Sequence, residues 1–100
     1  MKKRMLKTKP VCKVTFELPS EAATGATSVY LVGDFNDWDT GGTPMKRRKD
    51  GSFSVTIDLD CDHEYQYKYL IDSETWENDW AADKYTPSPV GDGENSVVIV

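Results

Sequence analysis

Three tryptophans in polar segments are the residues of this 100-residue chain whose placement suggests chemistry. Trp38 lies in a run rich in Asp, Asn, Gly and Pro, and polar residues surround Trp76 and Trp80. No alternation of apolar residues predicts that these indoles enter a core, and exposed indoles are costly in apolar area. The negative π face of an indole matches the apolar, slightly positive C–H face of a sugar ring. The pattern therefore predicts sugar stacking, with Lys68 and Asn95 as hydrogen-bonding neighbours. The alternative is that an indole, above all Trp80, covers the core as a lid.

Groups able to act as catalysts or metal ligands are scarce. Two cysteines and one histidine cannot supply the four ligands of a structural zinc site, and a Cys61–His63 pair has no group to orient the imidazole. A D-x-D-x-D spacing begins at Asp58, but the glycine and glutamate that a calcium loop needs further on are His63 and Tyr69. The motifs of common hydrolases and phosphate-binding loops are absent from the sequence. The sequence thus predicts a non-catalytic domain with no metal and no cofactor.

The elements that must position these residues are strands, because apolar residues recur with a period of two. Alternation or β-branched residues predict strands at 11–18, 28–33, 52–59, 64–72 and 95–100, with a short edge strand at 44–48 and a hairpin at Asp50-Gly51. The segment 28–33 is apolar on both faces, whereas 73–94 is polar and predicted to be a loop. Turns about every ten residues are typical of an all-β sandwich, here of about six to eight antiparallel strands.

Charge is divided unevenly along the chain, whose net charge is −5. Residues 1–13 carry six cations and no acid, and the remaining residues carry six cations and seventeen acids. An acidic domain repels phosphate backbones, so nucleic acid is not expected as a partner. No apolar run is long enough to span a membrane or to form a secretory signal, so a cytoplasmic location is predicted. We expect residues 1–10 to be a basic flexible arm and residues 11–100 to be the domain.

Three ordered segments resemble a known family. Residues 29–38, VYLVGDFNDW, resemble the VYLxGxFNxW signature of carbohydrate-binding module family forty-eight, also called the isoamylase N-terminal or early-set domain. Residues 65–72, YQYKYLID, resemble its YxYKFxVDG signature, and residues 95–98, NSVV, resemble its closing strand. The family includes the glycogen-binding domain of the AMP-activated kinase β subunit, and this chain looks like its short stand-alone bacterial versions.

The resemblance implies an immunoglobulin-like early-set β-sandwich that binds α-1,4-linked glucans, such as glycogen and starch, on one side. Homologous modules are found attached to glycoside hydrolases but are themselves accessory domains. By position, Trp38 and Trp76 match the stacking tryptophans of the family, and Lys68 and Asn95 match its hydrogen-bonding residues.

The sequence also departs from the family pattern. Trp76 comes one residue later after the aspartate than in the kinase subunit, and two rim contacts of that subunit fall on Gly91 and Gly93. The alternative function is therefore a protein-interaction domain that packs on or recruits a glycogen-metabolising enzyme. The same indoles would then anchor an interface.

Overall fold

Two antiparallel sheets form the domain in the computed structural model, which describes residues 1–6, 8, 10–88 and 93–100. The first sheet has the order β1-β2-β5-β4, with strands Lys2–Met5, Val11–Leu18, Phe53–Asp60 and Lys46–Arg47. The second has the order β3-β6-β9-β8, with strands Val29–Gly33, Glu64–Ile71, Glu94–Ile99 and Lys84–Pro87, and β7, Thr75–Glu77, also pairs with β6. The predicted all-β sandwich is confirmed, with nine strands among the described residues instead of six to eight.

The core lies between the two sheets, where the alternating residues of β2, β5 and β6 meet. Cys12, as predicted, faces inward from β2, and Phe16 packs edge-on against Tyr67 of β6 with ring centroids 4.9 Å apart. The remaining core is built by the same alternation; its other buried apolar members include Val14, Leu18, Val29, Leu31, Phe53, Leu59, Tyr69 and Val98. The two cysteines are free thiols.

Two strands lie in the segment that was predicted to be a loop, so that prediction is wrong for β7 and β8. A tight turn leads into β7: Glu74 N–H donates to Ile71 O, and Asp72 and Ser73 have positive φ angles of 52° and 58°. Both central residues of a type I′ turn require such angles, which favour glycine, and glycine is absent here. Because β7 and β8 are short and mostly exposed, no alternation of apolar residues marks them in the sequence.

The basic N-terminal segment also contains a strand. β1 pairs with β2 in the register Lys2↔Thr15 to Met5↔Cys12. Lys3 Nζ lies 2.5 Å from Asp83 Oδ2 and so links β1 to the second sheet. All four β1 side chains are exposed, which explains why the sequence carried no strand pattern there. The division into an arm and a domain at residue 10 stays a prediction.

Helical structure in the described ranges is limited to a single 3-10 turn, Asp34–Asn36. No helix in this part of the chain has the length and apolar character needed to cross a membrane.

Some residues of the second sheet are buried on both of its faces, which matters for the candidate site. Val32, Leu70 and Val97 point away from the core, yet their exposed fractions are 0%, 5% and 2%. The prediction that 28–33 is covered on both sides is confirmed. We call this side the outer face, defined by Tyr30, Val32, Gln66, Lys68, Leu70, Trp76, Asn95 and Val97.

Candidate functional site

The loop that carries Trp38 begins where β3 meets β6 at very close range. A Cβ placed on Gly33 would lie 2.5 Å from Gln66 O and 2.7 Å from Tyr67 Cβ, so only glycine fits there. After Gly33 the chain forms the 3-10 turn, and Trp38 N–H returns to donate to Gly33 O at 2.9 Å. The close approach of the two strands therefore fixes the start of the Trp38 loop at Gly33, and the hydrogen bond from Trp38 N–H to Gly33 O closes the loop.

Trp38 is held in an unfavourable backbone conformation. Its φ angle is +57°, in the left-handed region that costs an L-residue about 1–2 kcal/mol. Its indole Nε1–H donates to Asp34 Oδ1 at 2.9 Å, and Asp34 Oδ2 accepts the backbone N–H of Gln66 at 2.7 Å. These contacts fix the half-buried indole relative to β6. Strain of this kind in a bulky residue is typical of functional positions.

Lys68 and Asn95 occupy neighbouring positions on the outer face. Lys68 is paired with Val32 of β3, and the β6–β9 register, in which Tyr67 pairs with Ser96, brings Asn95 beside Lys68 one residue further on. Lys68 is half-buried, whereas Asn95 is only 4% exposed. Asn95 Nδ2 donates to Gln66 Oε1 at 3.0 Å. One hydrogen-bonding group of Asn95 is thus already engaged within the protein.

Trp76 lies on the same face as Lys68. It occupies the middle of β7, where its Cα partner is Leu70 of β6, two residues from Lys68. Its exposed fraction is 45%, so a face of the indole is open to solvent. The structure brings Lys68, Trp76 and Asn95 onto one face and connects Trp38 to the same strand through Asp34.

Asp34 and Gln66 are supporting residues that the sequence reasoning missed. Asp34 connects the Trp38 indole to β6, and Gln66 bonds Asn95. A signal for Gln66 was present, because alternation in β6 places it on the same face as Lys68. The sequence carried no sign that Asp34 accepts both hydrogen bonds.

The predicted rim positions are only partly visible. Gly93 is exposed, with a φ angle of +98° and no protein atom within 4 Å of a Cβ built on it. Gly91 lies outside the described residues. Thr86 of β8, the Cα partner of Asn95, is half-buried at this edge of the face.

A buried carboxylate holds the loop between Trp76 and Trp80 to the core. Asp79 is 1% exposed, and its Oδ2 accepts the hydroxyls of Tyr67 at 2.6 Å and Tyr69 at 3.2 Å. Its Oδ1 accepts Ala81 N–H at 2.9 Å, and its own N–H donates to Ser96 Oγ. Burial, followed by the negative charge of Asp79, raises the pKa of Tyr67 and of Tyr69 far above the usual range. Both phenols therefore stay neutral donors. In the sequence this segment has the pattern of a polar loop, and nothing in that pattern indicates a buried acid.

Trp80 is not a lid over the core. Its exposed fraction is 56%, the larger of the two values for the exposed tryptophans. Its Nε1–H lies 3.4 Å from Glu77 Oε1. The alternative that Trp80 covers the core is therefore wrong.

Comparison with known proteins identifies the family of this chain. The sequence model of carbohydrate-binding module 48 (isoamylase N-terminal domain) matches residues 10–86. A 30-residue stretch is 60% identical to the 1,4-alpha-glucan branching enzyme GlgB of Aquifex aeolicus (strain VF5). That stretch covers 30% of this chain and 5% of the enzyme. Because the family match extends over most of its length, the chain belongs to the carbohydrate-binding module 48 family.

Proposed function

We propose that this domain binds α-1,4-linked glucan chains of the glycogen and starch type without catalysing a reaction on them. The observation that carries the proposal is the left-handed backbone of Trp38, held by hydrogen bonds to Gly33 and to Asp34, which also bonds β6. A strained, solvent-accessible indole has no evident role in core packing. Membership of a carbohydrate-binding family supports a sugar as the ligand.

The choice of an α-1,4-linked glucan rests on two further points. The similar stretch of the Aquifex aeolicus protein belongs to an enzyme named for 1,4-alpha-glucan. The domain is also acidic overall, with a net charge of −5, so a neutral polyol suits it better than a polyanion. Nucleic acid and membranes remain unexpected as partners, and the cytoplasmic location stays a prediction from the sequence.

In this proposal the indoles of Trp38 and Trp76 stack on glucose rings, and Lys68 and Asn95 hydrogen bond with the hydroxyls. An aromatic contact contributes about 1 kcal/mol, and a hydrogen bond about the same. Two contacts of each kind, about 4 kcal/mol together, correspond to a Kd in the range of about 1 mM. This is the range of a module that depends on many weak contacts with a polymer.

Affinity electrophoresis in gels with and without amylopectin tests the proposal. We expect the wild type to be retarded by the polysaccharide, and Trp38→Ala and Lys68→Ala to lose most of that retardation. Lys13→Ala is the matched control, because Lys13 also points outward from a central strand, but on the other sheet. The proposal is contradicted if amylopectin leaves the mobility of the wild type unchanged and maltoheptaose leaves its tryptophan fluorescence unchanged.

One observation favours a second function, the recruitment of a glycogen-metabolising enzyme. Asn95 is nearly buried and bonds Gln66, which restricts its access to sugar hydroxyls. If Asn95 contributes little to sugar binding, the exposed Trp76 would serve as an anchor for a protein surface. A stoichiometric complex with such an enzyme that survives added glucan and is lost in Trp76→Ala supports this function. A complex that dissolves with glucan supports the first.

A further inference from the structure

Gln66 lies among the predicted sugar-binding residues, but the proposed function gives it no contact with the ligand. It occupies β6 two residues before Lys68, so the alternation of the strand places both side chains on the outer face. In the β6–β9 register Gln66 pairs with Val97, whereas Asn95 lies beside Lys68. Gln66 and Asn95 are therefore diagonal neighbours on this face, and their amides are in contact, with Asn95 Nδ2 donating to Gln66 Oε1 at 3.0 Å.

Hydrogen bonds on two sides connect Gln66 to the Trp38 loop and to Asn95. The backbone N–H of Gln66 donates to Asp34 Oδ2 at 2.7 Å, and Asp34 Oδ1 accepts the indole N–H of Trp38 at 2.9 Å. On the other side, the side-chain oxygen of Gln66 accepts the bond from Asn95. Gln66 thus lies between two groups to which the proposed function assigns the same glucan chain.

The side-chain amide of Gln66 keeps donors that a ligand can use. Its oxygen bonds Asn95, whereas its NH2 group donates to no partner in the part of the chain that the structure describes. No fully buried side-chain nitrogen or oxygen of these residues lacks a partner, so this NH2 group reaches solvent. Even with both amides turned over, the shared bond leaves Gln66 one N–H donor. Because Gln66 is half-buried and Asn95 is only 4% exposed, a ligand on the outer face reaches Gln66 more readily.

An uncharged amide beside a second amide suits the hydroxyls of an α-1,4-linked glucan. An internal glucose of such a chain keeps two free hydroxyls on adjacent ring carbons. A hydroxyl both donates and accepts hydrogen bonds, and an amide offers an N–H donor and a carbonyl acceptor. The Gln66–Asn95 pair therefore presents groups of the kind that adjacent hydroxyls bind.

We propose that Gln66 is a further sugar-binding residue, whose side-chain NH2 group donates to a glucose hydroxyl while its oxygen holds Asn95. The inference rests on the proposed glucan binding and adds one residue to the four that the sequence predicts. Gln66 and Asn95 then bind adjacent hydroxyls of one ring as a unit. Because hydrogen bonds are directional, this unit orients the edge of a ring whose face stacks on an indole.

A double-mutant cycle in the full chain distinguishes a direct contact of Gln66 from an indirect role through Asn95. NMR titration with maltoheptaose gives the Kd of the wild type, Gln66→Met, Asn95→Ala and the double variant. Methionine is close to glutamine in length but has no N–H donor. Loss of one hydrogen bond corresponds to a change of about fivefold in Kd. We expect Gln66→Met to weaken binding by at least about that factor alone, and again by about fivefold in the Asn95→Ala background.

Thr15→Val is the matched control for the loss of a cross-strand side-chain hydrogen bond. Thr15 Oγ1 and Thr56 Oγ1 are 2.8 Å apart on the first sheet, away from the proposed site, so this variant should bind maltoheptaose as the wild type does. Urea unfolding of each variant separates loss of the fold from loss of the contact. If Gln66→Met leaves the Kd unchanged in the Asn95→Ala background, Gln66 acts only by positioning Asn95 and the inference is overturned.

A measurement on the unmodified protein avoids dependence on the folding of a variant. Gln66 is the only glutamine of the chain, so its side-chain NH2 group gives the one glutamine pair of resonances in a nitrogen-15 NMR spectrum. Maltoheptaose should shift this pair with the same Kd as the indole N–H resonance of Trp38. Maltoheptaose binding that shifts the indole resonances and leaves the Gln66 pair unmoved overturns the inference but not the proposed function. A wild type that does not bind maltoheptaose overturns both.

Discussion

Replacing Asp79 by alanine should destabilise the domain by about 3 kcal/mol, although the residue is polar and lies in a loop-like segment. The substitution removes the shared acceptor of two buried phenols, Tyr67 Oη at 2.6 Å and Tyr69 Oη at 3.2 Å. It also removes the acceptor of Ala81 N–H at 2.9 Å. The loop between Trp76 and Trp80 then keeps only the hydrogen bonds that Asn78 and the Asp79 N–H make with β9.

The magnitude follows from these contacts and from the burial of the carboxylate. Each hydrogen bond to a charged group contributes about 1.5–3 kcal/mol, so the three together contribute roughly 5–9 kcal/mol. Burial of a carboxylate costs several kcal/mol, which alanine recovers. Tyr69 Oη keeps a weaker acceptor, Glu17 O at 3.4 Å, whereas the nearest remaining partner of Tyr67 Oη is the sulfur of Met1 at 4.0 Å. The balance is a net loss of about 3 kcal/mol, with Tyr67 responsible for most of it.

Urea unfolding followed by tryptophan fluorescence measures this loss, and thermal unfolding should show a Tm lower by about 15 °C. Asp58→Ala is the matched control: Asp58 is exposed and makes one ion pair, with Lys13 at 3.1 Å. An exposed pair contributes at most about 1 kcal/mol, so the control should remain close to the wild type. If Asp79→Ala costs no more than Asp58→Ala, the hydrogen bonds only offset the burial of the charge and the reasoning fails.

Three further predictions concern the backbone and the effect of pH. Gly33→Ala places a Cβ 2.5 Å from Gln66 O, so we expect the free energy of unfolding, measured with urea, to fall by about 1–3 kcal/mol. Glucan binding should weaken as well. An unchanged free energy of unfolding would contradict the crowding at Gly33. Ser73→Gly relieves a positive φ of 58° and should raise the free energy of unfolding by about 1 kcal/mol, visible as a higher Tm; a lower Tm would contradict the turn geometry. The pKa of Asp72 is lowered, first by the hydrogen bond from Ser28 N–H and then by those from the N–H and hydroxyl of Thr27. Since a lowered pKa adds stability above the usual carboxyl value and loses it as the pH falls through the folded value, Tm should drop below about pH 4. Asp72→Asn, which keeps the accepting oxygen, should show a smaller drop between pH 7 and pH 3.

The strands that could be predicted are those with several side chains in the core. In β2 and β5 buried residues alternate with more exposed ones, as from Cys12 to Leu18, and in β6 the buried Tyr67 and Tyr69 flank the half-buried Lys68. β3 and β9 are buried on both faces and were predicted from their apolar, β-branched runs. β1, β7 and β8 contribute few buried side chains, so their pairing depends on neighbouring strands rather than on their own apolar pattern. A sequence taken alone shows the apolar pattern of a strand but not the strand with which it pairs.

The candidate site divides in a similar way. Alternation places Lys68 outward, and polar surroundings indicated the exposure of Trp76. The hydrogen bonds that orient the site arise between residues far apart in the chain, such as Asp34 with Gln66 and Asn95 with Gln66. The local sequence does not indicate which of these distant residues form hydrogen bonds. For the same reason Asp79 resembled any other acid of a polar loop.

The hydrogen bond from Trp38 Nε1–H to Asp34 has a consequence for how a polymer can bind. An indole whose polar edge is already satisfied offers a ligand only its flat faces, and a flat face does not distinguish one glucose of a uniform chain from the next. In the proposed function, a glucan can therefore shift along the domain by one residue and meet equivalent contacts. Every long chain then presents many overlapping positions, and the apparent affinity rises with their number even where each individual contact is weak.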